Sequence, residues 1–208
     1  MPAEPDLPDN VVDWAIEPHR AVLLIHDMQH YFLEPFEDGS EPRNTLMRNV
    51  RWLRERSEQL DIPVMYTAQP GSMTRAQRGL LLDFWGPGMT ALPEDRGIPP
   101  EIAPALGDPV LTKWRASAFH NTDLLERLRR LERDQLLICG VYAHVGILLT
   151  AADAFANNVQ AFVVADAMAD FTPEYHKMAT DYVATRCGRV VTSAQVDTEL
   201  ALYETRVP

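Results

Sequence analysis

The hydrophobic positions of this chain fall into six short, almost continuous runs, separated by longer stretches with helical spacing. A short run that is apolar at nearly every position is typical of a strand buried on both faces, as strands are in a parallel sheet. Regular alternation of such strands with helices predicts an α/β fold with a parallel sheet and helices on both faces. The runs cover residues 20–26, 62–67, 109–113, 135–141, 160–165 and 189–192.

Three stretches between the runs carry apolar side chains at helical spacing. They are marked by Leu46, Val50, Leu53 and Leu60, by Leu124, Leu125, Leu128 and Leu131, and by Leu148, Ala152 and Phe155. Two further sequences are typical of helix starts: the capping box Thr74-Arg75-Ala76-Gln77, and Thr172 followed by proline. Residues 84–109 break the pattern with prolines and glycines, which predicts a long ordered loop over the carboxyl ends of the strands.

Length and composition favour one domain. The chain has 208 residues, 46% of them hydrophobic, which suffices for one sizeable core preceded by an extended arm at about residues 1–18. The net charge of -11 argues against nucleic acid or an anionic membrane as a partner, because either needs a basic surface. No apolar run is long enough to cross a membrane, and the first residues do not form a signal peptide. We therefore expect a cytoplasmic protein, and the proline-rich arm suggests docking on a partner subunit in a homodimer.

The two cysteines do not indicate a disulfide framework. Cys139 lies inside an apolar run, and Cys187 stands before a glycine at an expected helix end. Both are interpreted as reduced thiols, in agreement with the cytoplasmic prediction.

Candidate chemistry is found where the predicted strands end. Asp27 and Lys113 each follow a buried run, and the carboxyl ends of parallel strands open onto one crevice. Asp27 is either a structural or capping carboxylate or an acid held in a dry site, and the sequence weighs these readings about equally. Lys113 could equally be an exposed lysine. Gln69 and Arg78 could be ordinary surface residues, although together they suit a carboxylate ligand.

Metal and nucleotide binding have little support. His26 and His30 flank Asp27 at a spacing that suits metal ligation only on a helix, so His26 is expected to pack behind the sheet. His144 is expected to be structural. No glycine-rich phosphate-binding pattern follows any strand. We therefore predict neither a metal nor a cofactor.

Five stretches together resemble the isochorismatase family, from about Pro8 onward. They are IHDMQHYF, YTAQPGSMTRAQRGLLLDFWGPGM, LTKWRASAFH, CGVYAHVG and VADAMADF. Within them GSMT, QRGLL and DFWGPGM are most similar to the phenazine-pathway members, which hydrolyse 2-amino-2-deoxyisochorismate. The resemblance implies a three-layer fold with a six-stranded parallel sheet, and a small anionic substrate derived from chorismate. Some family members continue into an aryl carrier domain, but none is expected here, because the chain has no Asp-Ser pair for a phosphopantetheine arm.

The resemblance also implies roles for individual residues. Asp27 and Lys113 correspond to the catalytic pair, and the peptide between Val141 and Tyr142 is expected to be cis. Gly146 stands where the wider superfamily of cysteine hydrolases carries its nucleophilic Cys, and we expect this glycine to leave room for the substrate ether. The residues expected around the substrate are Gln69, Arg78, Trp85, Tyr142 and Gly146.

The implied reaction is hydrolysis of an enolpyruvyl ether to pyruvate and a dihydro-hydroxy aromatic acid, in siderophore, phenazine or related metabolism. Protonation of the terminal methylene by Asp27 would start it, with no covalent intermediate. Burial and an anionic substrate would raise the pKa of Asp27, whereas Lys113 would lower it, and we expect the complex to hold the protonated acid. The alternatives are an amidase of the cysteine-hydrolase type, which needs a Cys in place of Gly146, and a non-catalytic binding protein.

Overall fold

A computed structural model describes residues 1–205 and has a six-stranded parallel sheet at its centre. Every strand lies on one of the predicted apolar runs, so the α/β prediction is confirmed. The strands are β1 (Ala21–His26), β2 (Val64–Ala68), β3 (Val110–Thr112), β4 (Gln135–Val141), β5 (Gln160–Ala169) and β6 (Gly188–Val191).

The strand order β3-β2-β1-β4-β5-β6 places the first strand in the middle of the sheet. From β1 the chain builds outward on one side through β2 and β3, and on the other side through β4, β5 and β6. Leu24 is therefore paired with Met65 on one side and with Ile138 on the other. At such a switch point the connections leave in opposite directions, which opens a crevice at the carboxyl ends of β1 and β4. Asp27 and Tyr142 are the first residues after these two strands.

Helices cover both faces of the sheet. They are α1 (His30–Leu33), α2 (Arg43–Gln59), α3 (Arg75–Arg78), α4 (Leu81–Trp85), α5 (Pro93–Arg96), α6 (Leu124–Arg130), α7 (Leu148–Ala156), α8 (Pro173–Arg186) and α9 (Ser193–Glu204). Leu23 and Ile25 of β1 belong to the core beneath α2 and α9, whereas Val22 and Leu24 belong to the opposite core beneath α6, α7 and α8. The alternation of side chains along a strand thus places one strand in both cores.

Both predicted helix starts are confirmed. The Gln77 backbone N–H donates to the Thr74 hydroxyl, and the Thr74 backbone N–H donates to the Gln77 side-chain oxygen. The Thr172 hydroxyl accepts from the backbone N–H of Tyr175. The long ordered loop predicted at residues 84–109 is interrupted by short helical pieces, because the segment contains α5 and a 3₁₀ turn at Pro100–Ile102. Proline occupies the first position of each, where its missing N–H costs nothing and its fixed φ favours a helical turn.

The N-terminal arm packs against the β6 strand of the same chain. The Asn10 side chain accepts from the backbone N–H of Val190 and donates to the carbonyl of the same residue, and Ile16 is buried in the core. This part of the arm therefore covers the β6 edge of its own sheet, and the interpretation that it reaches for a partner subunit finds no support in these contacts. No helix within residues 1–205 is both long enough and apolar enough to cross a bilayer.

Candidate active site

A cavity of about 490 Å³ opens at the carboxyl ends of the central strands. All seven residues singled out from the sequence contribute to its wall: Asp27, Gln69, Arg78, Trp85, Lys113, Tyr142 and Gly146. Sequence analysis missed further wall residues, among them Tyr31, Phe32, Glu34, Leu81 and Phe171. These belong to short helices and connections whose position over the sheet is set by tertiary packing, so no periodic signal marks them.

Asp27 and Lys113 form a buried ion pair at the bottom of this cavity. The Lys113 Nζ lies 2.8 Å from the Asp27 Oδ2, and the two residues are 2% and 4% exposed. Lys113 also donates to the backbone carbonyls of Arg115 and Ala116, at 2.8 and 3.2 Å. All three ammonium protons therefore have acceptors, which is the condition under which a buried cation is tolerated.

The pair decides the ionisation of Asp27 in the absence of ligand. Burial would raise the pKa of the Asp27 carboxyl, but the Lys113 cation and the hydrogen bonds from Lys113 and Thr67 outweigh it and hold that pKa below its ordinary value. The carboxylate is consequently ionised at neutral pH while the cavity holds no second anion. The opposition of burial and Lys113 expected from the sequence is thus resolved in favour of Lys113.

Thr67 fixes Asp27 from the neighbouring strand. Its hydroxyl accepts the Asp27 backbone N–H at 3.0 Å and donates to the Asp27 Oδ1 at 2.5 Å. Asp27 has a φ of 51°, in the left-handed region that few residues other than glycine enter readily. Backbone of this kind persists where surrounding contacts over-determine it, and it is concentrated in functional sites.

Gln69 and Arg78 form the polar wall beside the pair. Gln29, which is 1% exposed, accepts the Gln69 backbone N–H at 2.7 Å and donates to the Gln69 carbonyl at 3.0 Å. The Gln69 side-chain oxygen in turn accepts from the Arg78 Nη1 at 3.3 Å. Gln29, which sequence analysis did not select, therefore holds the loop that carries Gln69.

The Arg78 guanidinium is aimed by the chain that follows it. Its Nε donates to the Gly86 carbonyl at 2.8 Å, and its Nη2 donates to the Trp85 carbonyl at 3.3 Å. Burial lowers the pKa of Arg78 from its ordinary value, but an arginine starts so high that it remains a cation. Gly88 has a φ of 76° and a Cβ on it would lie 2.9 Å from the guanidinium carbon, so any other residue there would strain the backbone and displace the Arg78 guanidinium. The wall thus presents a fixed cation to the cavity.

Aromatic rings close the other side. The Tyr142 ring lies 4.1 Å from that of Phe171, which stacks in turn on Trp85 at 6.1 Å. The Tyr142 hydroxyl donates to the Phe32 carbonyl at 2.9 Å, and the Val141–Tyr142 peptide is cis, as the resemblance implied. Trp85 is 43% exposed, so it stands at the mouth of the cavity while Tyr142 lies deeper.

Gly146 requires a correction to the interpretation made from the sequence. Its backbone lines the cavity, but a Cβ built there would overlap the imidazole of His26. The absence of a side chain therefore accommodates His26 first, and does not simply make room for an ether. His26 is fully buried, as predicted, yet it packs beside Asp27, with its Nδ1 3.9 Å from the Asp27 Oδ2.

His144 has the structural role expected of it. Its Nδ1 lies 2.7 Å from the Asp170 Oδ1, and its ring stacks on Tyr175 with centroids 4.3 Å apart. It is outside the set of residues that line the cavity. Within residues 1–205 there is no group of three or more His, Cys, Asp or Glu side chains placed to hold a metal ion.

Replacing Thr67 by valine is expected to lower the free energy of unfolding by about 2 kcal/mol, because the buried Asp27 N–H loses its acceptor and the carboxylate loses a donor. The Thr67→Ser protein keeps the hydroxyl and serves as control, with a loss below about 1 kcal/mol. A lost donor moves the pKa of Asp27 upward, so the difference in stability between the two variants should narrow as the pH falls through the lowered pKa of Asp27. The part due to the unpaired N–H does not depend on pH and should remain. Denaturant unfolding at several pH values measures this, and equal stabilities at neutral pH would contradict it.

Comparison with known proteins agrees with this geometry. Residues 21–195 match the family described as "Isochorismatase domain". The chain is 54% identical over 196 residues to a "Probable isochorismatase" from Pseudomonas chlororaphis and to the "Phenazine biosynthesis protein PhzD" from Pseudomonas fluorescens, with 94% of each chain covered in both cases. Among solved structures, a cysteine hydrolase from Pseudomonas syringae pv. phaseolicola shares the fold, with a TM-score of 0.83, 22% identity, and coverage of 92% of this chain and 97% of that one. The chain belongs to the isochorismatase family of hydrolases.

Proposed function

We propose that this protein hydrolyses the enolpyruvyl ether of isochorismate or 2-amino-2-deoxyisochorismate, releasing pyruvate and a dihydro-hydroxy aromatic acid. The names of its relatives, a probable isochorismatase and a phenazine biosynthesis protein, support this substrate class. The observation that carries the proposal is the buried carboxyl of Asp27, held by Lys113 in a cavity whose wall contains Arg78. Among residues 1–205, the cavity wall includes no Cys, Ser or Thr. This residue set suits acid catalysis better than acyl transfer.

Asp27 acts as the acid. In the free protein its carboxylate is paired with Lys113, so it must take up a proton before it can give one. A bound substrate brings two carboxylates into a cavity that is closed to bulk water on several sides. Like charges disfavour ionisation, so the substrate raises the pKa of Asp27 and the acid enters the complex protonated. Lys113 keeps the carboxyl in place throughout.

The reaction then balances without a covalent intermediate. Asp27 gives its proton to the terminal methylene, which becomes a methyl group, and the ether oxygen shares the positive charge of the resulting oxocarbenium ion. Water adds to the cationic carbon and returns one proton to Asp27. The hemiketal collapses to pyruvate, and the ring keeps its oxygen as an alcohol. General acid catalysis of this kind contributes about 10²–10⁴-fold.

Arg78 and Gln69 bind the pyruvyl carboxylate. An arginine can donate two parallel hydrogen bonds to a carboxylate, and Arg78 is already oriented by the carbonyls of Gly86 and Trp85. The aromatic wall of Tyr142 and Trp85 covers the substrate ring. Local cations of this kind are needed because the protein as a whole carries a net charge of -11.

Assembly and location stay predictions. A homodimer in the cytoplasm agrees with the sequence, and light scattering of the purified protein and fractionation of cells would measure each. The single domain with its arm at about residues 1–18 likewise remains a proposal.

Pyruvate release from isochorismate and from 2-amino-2-deoxyisochorismate tests the reaction class. In water enriched in ¹⁸O, the heavy oxygen should enter the keto group of pyruvate and be absent from the ring alcohol, because water attacks the pyruvyl carbon. Mass spectrometry of both products, quenched before the keto group exchanges, reads the result. Heavy oxygen in the ring alcohol would place the attack at the ring and remove the methylene acid from the mechanism, whereas ammonia from amides without pyruvate would indicate an amidase.

Asp27→Asn is expected to lower kcat by about 10²–10⁴-fold, because the amide cannot protonate carbon. Asn keeps the volume and its side-chain oxygen can still accept from Lys113, so the variant should fold, although with lower stability because the buried Lys113 charge loses its counter-ion. Circular dichroism checks the fold. The matched control is Asp83→Asn, which changes an exposed aspartate of α4 outside the cavity wall. A folded Asp27→Asn protein with more than about a tenth of the wild-type turnover would take the acid role away from Asp27.

A further inference from the structure

Gly146, in the turn after β4, packs directly against His26, the last residue of β1. Gly146 lies in the turn Ala143–Ile147, and a Cβ built on it would overlap the His26 Cε1 and lie 2.9 Å from Nε2 and 3.0 Å from Nδ1. Real Cβ atoms do not approach a ring so closely. Gly146 has no positive φ that would by itself demand glycine. The three atoms nearest to that Cβ all belong to His26, so a side chain at position 146 would meet the imidazole first.

The imidazole is held where it is. The Val141 carbonyl lies 2.8 Å from the His26 Nδ1, and a carbonyl can only accept, so Nδ1 carries the proton. Burial lowers the pKa of His26 to about 4, which keeps the ring neutral at physiological pH. The other nitrogen, Nε2, is buried and has no hydrogen-bond partner within residues 1–205.

We propose that His26 determines the reaction class of this cavity, by filling the volume that a nucleophilic side chain at position 146 would need. This proposal goes beyond the proposed function. It rests on that function only in taking ether hydrolysis as the reaction of the cavity, because the steric conflict between His26 and a side chain at position 146 exists without substrate. His26 is in this sense a specificity-determining residue that touches no substrate.

The surroundings of that volume explain why filling it matters. The His26 Nδ1 lies 3.9 Å from the Asp27 Oδ2, and Lys113 is bound to the same oxygen. A thiol placed there would have a carboxylate to take its proton and an ammonium to stabilise the thiolate, which are the groups that activate a cysteine nucleophile. With the ring in place, the same Asp27 and Lys113 are left to protonate a substrate. The buried His26 side chain thus favours acid catalysis by Asp27 over nucleophilic catalysis by a residue at position 146.

A double-mutant cycle on His26 and Gly146 tests this steric conflict. Gly146→Ala alone should lower the melting temperature by about 5 °C or more, because the added methyl overpacks the site. His26→Ala alone should also lower it, through lost packing. In the His26→Ala background, however, Gly146→Ala should cost less than about 2 °C or raise the melting temperature, since the methyl enters vacated space. Equal costs of Gly146→Ala in both backgrounds would overturn the proposal.

Gly97 provides the matched control. A Cβ there would lie 2.7 Å from the Pro93 carbonyl oxygen and 2.9 Å from the His30 Cδ2, so Gly97→Ala also crowds a histidine, but a different one. Its effect should be the same with and without His26→Ala. Rescue of Gly97→Ala by His26→Ala would show a general effect and contradict a specific conflict between His26 and position 146. If Gly146→Ala does not accumulate as soluble protein, recovery of soluble protein in the double variant decides the question.

Alkylation distinguishes a change of chemistry from a change of stability. The native Cys139 and Cys187 are both buried and form the background. In the His26→Ala, Gly146→Cys protein, iodoacetamide should label the new thiol at least about tenfold faster than either native cysteine, as expected for a cysteine beside an ammonium. Mass spectrometry of peptides locates the label. Equally fast labelling of Gly146→Cys with His26 present, or no labelling of the double variant, would overturn the proposal, and neither measurement depends on pyruvate release.

Discussion

The buried ion pair between Asp27 and Lys113 is the interaction on which the rest of the site depends. Two charges removed from water are stable only if their partners are close and their remaining hydrogen-bonding groups are used. The fold meets both conditions, since Thr67 serves Asp27 and the carbonyls of Arg115 and Ala116 serve Lys113. Removing either partner would leave an uncompensated charge in a nearly dry place. The pair therefore couples stability to function in this member of the isochorismatase family.

The sheet topology brings these groups together. Asp27 follows β1, Gln69 follows β2 and Lys113 follows β3, so three neighbouring strands end on polar side chains at one edge of the sheet. Tyr142 arrives from β4 on the other side of the switch point. Because the strands are parallel, none of these residues needs a long loop to reach the cavity. The short helices after β2 then add Arg78, which gives the cavity a local positive charge in a protein whose net charge is negative.

Much of this arrangement can be predicted from the sequence, and the features that could not be predicted have physical reasons. The six strands are marked by runs that are apolar at nearly every position, and Asp27 and Lys113 stand directly after two of them. The short helices at residues 84–109 escaped prediction because prolines that start a helical turn resemble prolines that break one. The position of His26 beside Asp27 was not predicted, because its contact with Gly146 joins residues that are 120 positions apart in the chain. Only the tertiary structure makes such a pair visible.

The central claim is that Asp27 is ionised in the free protein and protonated when an anionic substrate is bound. Carbon-13 NMR of the labelled Asp27 carboxyl, assigned with the Asp27→Asn protein, measures both states. The bound state is obtained with an unreactive analogue that carries a lactyl ether in place of the enolpyruvyl group. We expect the pKa of Asp27 to lie below its ordinary value without ligand and to rise above the pH of the measurement in the complex, so that the bound state is protonated. A carboxyl that stays ionised at neutral pH with the analogue bound, or whose pKa falls on binding, would contradict the account.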